Sequence, residues 1–162
     1  MLPAATGARL GALKLSIIIP AFNEERLLAA TLASVNAARG VFTGRGWATE
    51  LIVCDNNSTD RTAELARGQG ATVVFEPINQ IGRARNTGAK AATGDWLLFI
   101  DADSQPSPEL FATTEAVMTA GRAVAGGSTI RLESGHPTAD FVCGLWNCLS
   151  RWRRLLAGSF IF

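Results

Sequence analysis

Two aspartates separated by one alanine close the apolar run at residues 96–104, WLLFIDADS. Apolar runs of this length, rich in Leu, Phe and Ile, form strands buried on both faces. Side chains alternate along an extended chain, so Asp101 and Asp103 share a side wherever strand geometry persists. Two carboxylates at the carboxyl end of a buried strand repel each other. A divalent cation relieves that repulsion, and oxygen ligands suit Mg²⁺ or Mn²⁺. Open α/β sheets bind ligands outside the carboxyl ends of their strands, so the chemistry is expected here.

Two further segments end in residues able to bind. In SIIIPAFNEE, residues 16–25, a β-branched run is closed by Pro20. Asn23 can cap the helix that follows, with Glu24 and Glu25 in its first turn, where acids suit the helix dipole. In LIVCDNNSTDRT, residues 51–62, a buried run ends at Asp55. Arg83 and Arg85 stand at the start of another helix, where the dipole disfavours them. They read either as solvated arginines or as a pair that grips phosphate oxygens in bidentate fashion, and their unfavourable placement weighs toward the second.

The elements that would hold these groups alternate. Strands are predicted over 15–20, 50–55, 71–75, 96–100 and 122–132. Helices are predicted after Asn23, with Leu27, Leu28, Thr31, Leu32 and Val35 on the buried face, and from Ser58 through Ala66. Others fall over 82–92, 106–120 and 138–156, while Gly40–Gly46 reads as a loop. This order implies βαβ units, an α/β class and a largely parallel sheet. Residues 1–14 read as a tail, with one domain over 15–162. The apolar end AGSFIF reads as the start of a strand, so a longer protein is expected.

Composition fits one globular domain. The chain has 162 residues, 48% hydrophobic and 18% charged, which argues against disorder. A net charge of +1 gives no field that would attract nucleic acid. Three cysteines, Cys54, Cys143 and Cys148, with no CxxC, fit a reduced compartment and core or interface positions rather than disulfides. No metal cluster can be built around the single histidine, His136. Residues 138–156 combine Trp146 and Trp152 with Arg151, Arg153 and Arg154. Such a helix packs on the domain or a partner chain, with a membrane surface as the alternative.

Neither GxGxxG nor GxxxxGK[ST] occurs, which removes the main evidence for a Rossmann dinucleotide site or a P-loop. Instead SIIIPAFNEE, LIVCDNNSTDRT and GRARNTGAKAATGDWLLFIDADS, in that order, resemble the nucleotide-sugar-binding half of family 2 glycosyltransferases. The resemblance covers about residues 15–132. It implies a GT-A, Rossmann-like fold with a mostly parallel central sheet flanked by helices, the acceptor half following residue 162. It places Pro20, Ala21, Asn23 and Glu24 at the nucleoside pocket, Asp55 on the base or ribose, and Arg83 and Arg85 near the donor. Asp101, Ala102 and Asp103 match the DxD motif. Asp103 would ligate the metal, and Asp101 would contact the metal, its water or the ribose. Many members carry a second acid after Asp55, whereas this chain has Asn56 and Asn57.

The resemblance further implies inverting transfer from a nucleoside diphosphate sugar, UDP-sugar first and GDP-sugar second, to a glycan or lipid-linked acceptor. The cysteine pattern points to a cytoplasmic protein, and the tryptophans and arginines after Thr138 to peripheral contact at the inner face of a membrane. The general base such a displacement needs is not evident: Glu133 and Asp140 lie outside the expected acceptor motif. Two alternatives remain open. One is a non-catalytic nucleotide-sugar-binding module. The other is a nucleotidyltransferase, which would carry a glycine-rich phosphate loop that PAFNEE is not.

Overall fold

A computed structural model describes residues 12–121, 123–129, 137–153 and 160–162. Five strands, β1 (Lys14–Ala21), β2 (Ala48–Asp55), β3 (Thr72–Phe75), β4 (Trp96–Ile100) and β5 (Phe160–Ile161), form one sheet in the order β3-β2-β1-β4-β5. The first four are parallel and β5 is antiparallel to β4. The helices are α1 (Leu28–Ala38), α2 (Gly40–Gly44), α3 (Thr62–Gly68), α4 (Ile81–Ala91), α5 (Pro108–Thr119) and α6 (Pro137–Arg153).

β1 is central and buried on both faces because its apolar run offers no polar side to water. Leu15, Ile17 and Ile19 join Leu51, Val53, Leu98 and Ile100 on one face, under Leu28, Leu32 and Val35 of α1, Ala66 of α3 and Phe111 of α5. Ile18 points the other way, toward α4. A Cβ built on Gly88 would lie 2.5 Å from Ile18 Cγ2, so only glycine lets α4 sit this close.

The amino ends of the strands, opposite the aspartates, carry a polar brace. Glu50 receives the Lys14 ammonium at 2.8 Å, the Ser16 hydroxyl and the Thr93 amide at 2.7 Å. Gly94 donates its N–H to Ser16 Oγ at 2.9 Å. Burial alone would raise the Glu50 carboxyl, but the hydrogen bonds from Lys14, Ser16 and Thr93 outweigh it and hold it at about 2.

Several local expectations give way to tertiary contacts. The glycine-flanked segment after α1 is helical, because Phe42 is drawn into the core between Trp47 and Phe111, with ring centroids at 5.2 and 5.9 Å. Asn23 does not cap α1: the Glu24 carbonyl accepts the Leu27 and Leu28 N–H groups instead. Ser58 does not cap α3 either. Asp60 accepts the Thr62 N–H at 2.9 Å, and the Ser58 hydroxyl accepts the Asn23 N–H at 3.0 Å. Lys14 belongs to β1 rather than to a tail.

Within the stretch read as a strand over 122–132, the described residues 123–129 form an isolated bridge between Gly127 and Ile161. Residues 122 and 130–132, together with Glu133 and His136, lie outside the described residues. β5 does form, as the apolar end of the chain suggested. α6 covers most of its predicted range, and residues 154–156 lie outside the described residues. Phe141, Val142, Leu145, Trp146 and Leu149 recur at helical spacing on α6 and are exposed.

Candidate functional site

Strand order fixes where a ligand can sit. From β1 the chain crosses to β2 and β3 on one side, then returns to β4 on the other. The carboxyl ends of β1 and β4 therefore flank the crevice that open α/β sheets use for ligands. A pocket of about 300 Å³ lies there, lined by Pro20, Ala21, Phe22 and Glu24 after β1 and by Asp101, Ala102 and Asp103 after β4. Asn56 after β2, with Asn79 and Ile81 at the entry to α4, completes the wall.

Strand geometry stops at Ile100, and residues 101–104 form a turn closed by the Ser104 N–H on the Asp101 carbonyl at 3.1 Å. The alternation argument therefore does not reach Asp103, yet both aspartates line the same pocket. They do different things. Asp101 is paired with Arg85 at 2.6 Å, while Asp103 is exposed and has no hydrogen bond or ion pair among the described residues. Ala102 is buried, and its carbonyl accepts the Thr31 hydroxyl at 2.7 Å. Ser34, also on α1, donates to the Pro106 carbonyl at 2.7 Å.

The loop after β1 is held as firmly. Asn23 adopts a left-handed backbone (φ 54°), which asparagine tolerates better than most residues. Its side-chain oxygen accepts the Thr59 N–H at 2.8 Å. Glu24 donates its N–H to Thr62 Oγ1 at 2.8 Å and turns its carboxyl to the pocket. Burial raises that carboxyl above its ordinary value, and the charges of Asp103 and Asp60 add to the effect.

Four expected site residues are not in the pocket's lining. Asn23 ties two loops together, as described. Asp55 is buried and accepts the Ser58 N–H at 3.1 Å. Arg83 pairs with Glu76 at 3.1 Å, and Arg85 pairs with Asp101. Among the described residues the buried Arg85 Nε has no hydrogen-bond partner, which leaves a spare donor close to the aspartate turn.

Phe22, Asn56, Asn79 and Ile81 line the pocket without having been singled out by sequence. Phe22 lies within SIIIPAFNEE, and Asn56 stands in the sequence only as a departure from a second acid. Asn79 and Ile81 carried no local signal. Glu76 also went unnoticed: it is buried and accepts the Thr87 hydroxyl at 2.7 Å, the Ile78 N–H and the Arg83 guanidinium. The Thr87 hydroxyl, foremost among these donors, holds its carboxyl below the usual range.

Among the described residues, no three metal-ligating side chains converge into a cage. The exposed Asp103 carboxylate at this pocket still suits Mg²⁺ or Mn²⁺. Such ions are often held by one or two carboxylates, with substrate phosphates and water supplying the remaining ligands.

An uncharacterized glycosyltransferase of Mycobacterium tuberculosis is 40% identical over 88 residues, covering 54% of this chain and 36% of the relative. The 4,4'-diaponeurosporenoate glycosyltransferase of Staphylococcus haemolyticus is 36% identical, over 59% of this chain and 25% of that protein. The chain thus spans about a third or less of the length of these curated relatives. Among solved structures, glucosyl-3-phosphoglycerate synthase from M. tuberculosis in complex with UDP superposes with a TM-score of 0.66 at 26% identity. That match covers 92% of this chain and 56% of the synthase. The same synthase is also known with Mn²⁺, UDP-glucose and phosphoglyceric acid. The family model "Glycosyl transferase family 2" matches residues 16–139. The chain, with its GT-A fold, belongs to glycosyl transferase family 2.

Proposed function

We propose that this chain is the donor-binding part of an inverting glycosyltransferase that uses a nucleoside diphosphate sugar, with UDP as the nucleotide. The observation that carries this reading is the pocket at the β1–β4 switch point. It joins Pro20, Ala21 and Glu24 to Asp101, Ala102 and Asp103 and has the Arg85 guanidinium behind it. The UDP held by the 26%-identical synthase supports the choice of base.

In this reading the nucleoside lies against Pro20, Ala21 and Phe22, with the diphosphate toward the aspartate turn. Asp103 holds a divalent cation, with Asp101 at its edge. The cation would neutralise the charge that develops on the departing nucleotide. Asp101 keeps Arg85 close, and the spare Nε of Arg85 can donate to a phosphate oxygen after a small side-chain shift. The acceptor's proton needs a base, and the pocket-lining carboxylates are committed to donor and metal. The acceptor side is therefore built by other residues.

A glycan or lipid-linked sugar is the acceptor we favour, in the cytoplasm at the membrane's inner face. The exposed stripe on α6, followed by Arg151, Arg153 and Arg154, supports contact with anionic lipid. No helix among the described residues is long and apolar enough to cross a membrane. Sedimentation with anionic but not neutral vesicles is expected. Equal behaviour with both would remove the membrane contact.

Calorimetric titration with UDP and GDP, each with Mn²⁺ and with chelator, tests the donor site. UDP should bind only with Mn²⁺, and Asp103→Ala should abolish the effect of the metal. No nucleotide binding under any condition would refute the reading.

A further inference from the structure

Asn56 follows Asp55 at the carboxyl end of β2, and its side chain does structural work that an acid could not. It is 3% exposed, and its backbone N–H and both ends of its side-chain amide are spent on the pocket wall. Its backbone N–H donates to the Ala21 carbonyl at 2.8 Å, tying the end of β2 to the loop after β1. Its side-chain amide donates to the Glu76 carbonyl at 3.2 Å and the Ile78 carbonyl at 2.6 Å. Its side-chain oxygen accepts the Gln80 N–H at 2.9 Å. One buried side chain thus folds residues 76–80 into the turn that leads to α4.

A carboxylate could not do this. It has no proton to donate, so an aspartate here would face two carbonyl oxygens. With both N–H groups engaged, Asn56 also has no donor left for a ligand. The segment it folds does. Asn79 is exposed, lines the pocket, and its amide has no hydrogen bond among the described residues. Its neighbours in the lining include Phe22 and Ile81, both substantially exposed at 42% and 55%. Two apolar surfaces and one free amide match a nucleobase, which offers two π-faces and one hydrogen-bonding edge.

We infer that Asn79 reads the Watson–Crick edge of the uracil ring and that Asn56 is the positioning residue that brings it there. The inference rests on the donor-site reading above and adds the groups that select the base. The amide oxygen of Asn79 would accept the N3–H of uracil, while its NH₂ would donate to a ring carbonyl.

A ligand-protein cycle tests this. UDP and N3-methyl-UDP, which lacks the N3–H, are titrated with Mn²⁺ into the unsubstituted chain, Asn79→Ala and Asn56→Asp. The unsubstituted chain should bind N3-methyl-UDP about tenfold more weakly than UDP, the usual effect of one lost hydrogen bond. Asn79→Ala should bind UDP about tenfold more weakly and no longer distinguish the two ligands. A merely structural role would weaken both ligands alike and leave their ratio intact. Asn79 is exposed, so this variant remains informative even where Asn56→Asp is unstable. Asn56→Asp, checked for cooperative unfolding, should also lose the distinction.

A tenfold preference that survives Asn79→Ala overturns the base-reading role. A preference that survives in folded Asn56→Asp overturns the positioning role. If the unsubstituted chain binds UDP without distinguishing the methylated form, the inference fails while the donor site stands. If it binds no nucleotide, both fail.

Discussion

Replacing Glu50 by glutamine removes a charge from the brace at the amino ends of β1, β2 and β4, far from the pocket. The carboxyl drops from 4.5 to about 2 on folding, despite the cost of burial, because Lys14, Ser16 and Thr93 all donate to it. At about 1.4 kcal/mol per pKa unit, a fall of that size corresponds to roughly 3 kcal/mol. The Lys14 and Glu50 side chains are 33% and 24% exposed, and solvent screening brings the expected loss to about 2 kcal/mol. The sign follows from the direction of the shift. A carboxyl depressed in the folded state contributes fully above pH 4.5, and its contribution is lost as pH falls toward about 2. Urea unfolding of the unsubstituted chain and Glu50→Gln at pH 7, 4.5 and 3 reads this directly. The gap should be about 2 kcal/mol at pH 7 and should narrow by roughly half at pH 3. A gap that stays constant with pH would show that packing, not the charge, is what Glu50 supplies.

Other consequences can be checked with equal economy. Gly88→Ala should cost about 1–3 kcal/mol by thermal or urea unfolding, because the new methyl meets Ile18 Cγ2. Ile18→Ala in the same chain should recover part of that loss, and strict additivity would contradict the contact. The Glu24 carboxyl should titrate above its ordinary value by NMR and move part of the way back in Asp103→Asn, since Asp103 is one of its neighbours. Burial, with Glu76 and Asp55 nearby, pushes the Cys54 thiol up to about 11. Alkylating reagents at pH 8 should therefore modify the exposed Cys148 first and leave Cys54 unreacted until unfolding.

Much of the architecture could be read from residue types because the signals were local and redundant. Ile17, Ile18 and Ile19 announce a strand buried on both sides, and the apolar run before Asp101 does the same. The pocket's floor was legible for that reason, as Pro20, Ala21, Glu24 and residues 101–103 sit at the ends of such runs. The capping assignments failed because several residues in each loop could supply an oxygen, and only the packed loops choose among them. Asp60 serves α3, so Ser58 and Asn23 are free to join their two loops together. Phe42 turned a glycine-flanked loop into a helix through contacts with Trp47 and with the distant Phe111. Asn79 and Ile81 reach the pocket only because the Asn56 side chain folds the segment that precedes α4.

Helix α1 touches both rims of the pocket. Its start is set by the Glu24 carbonyl, and one turn further on Thr31 holds the Ala102 carbonyl. The separation between the two loops is therefore fixed by a helix, whose rise per residue scarcely varies, rather than by the loops themselves. A cleft gauged in this way is already shaped before any guest arrives. Little conformational freedom remains to be surrendered on docking, so association should be fast and its entropic penalty small. The same rigidity makes α1 a poor place to relax selectivity, and altered preferences are more readily engineered in residues 76–81, which no helix spans until Ile81.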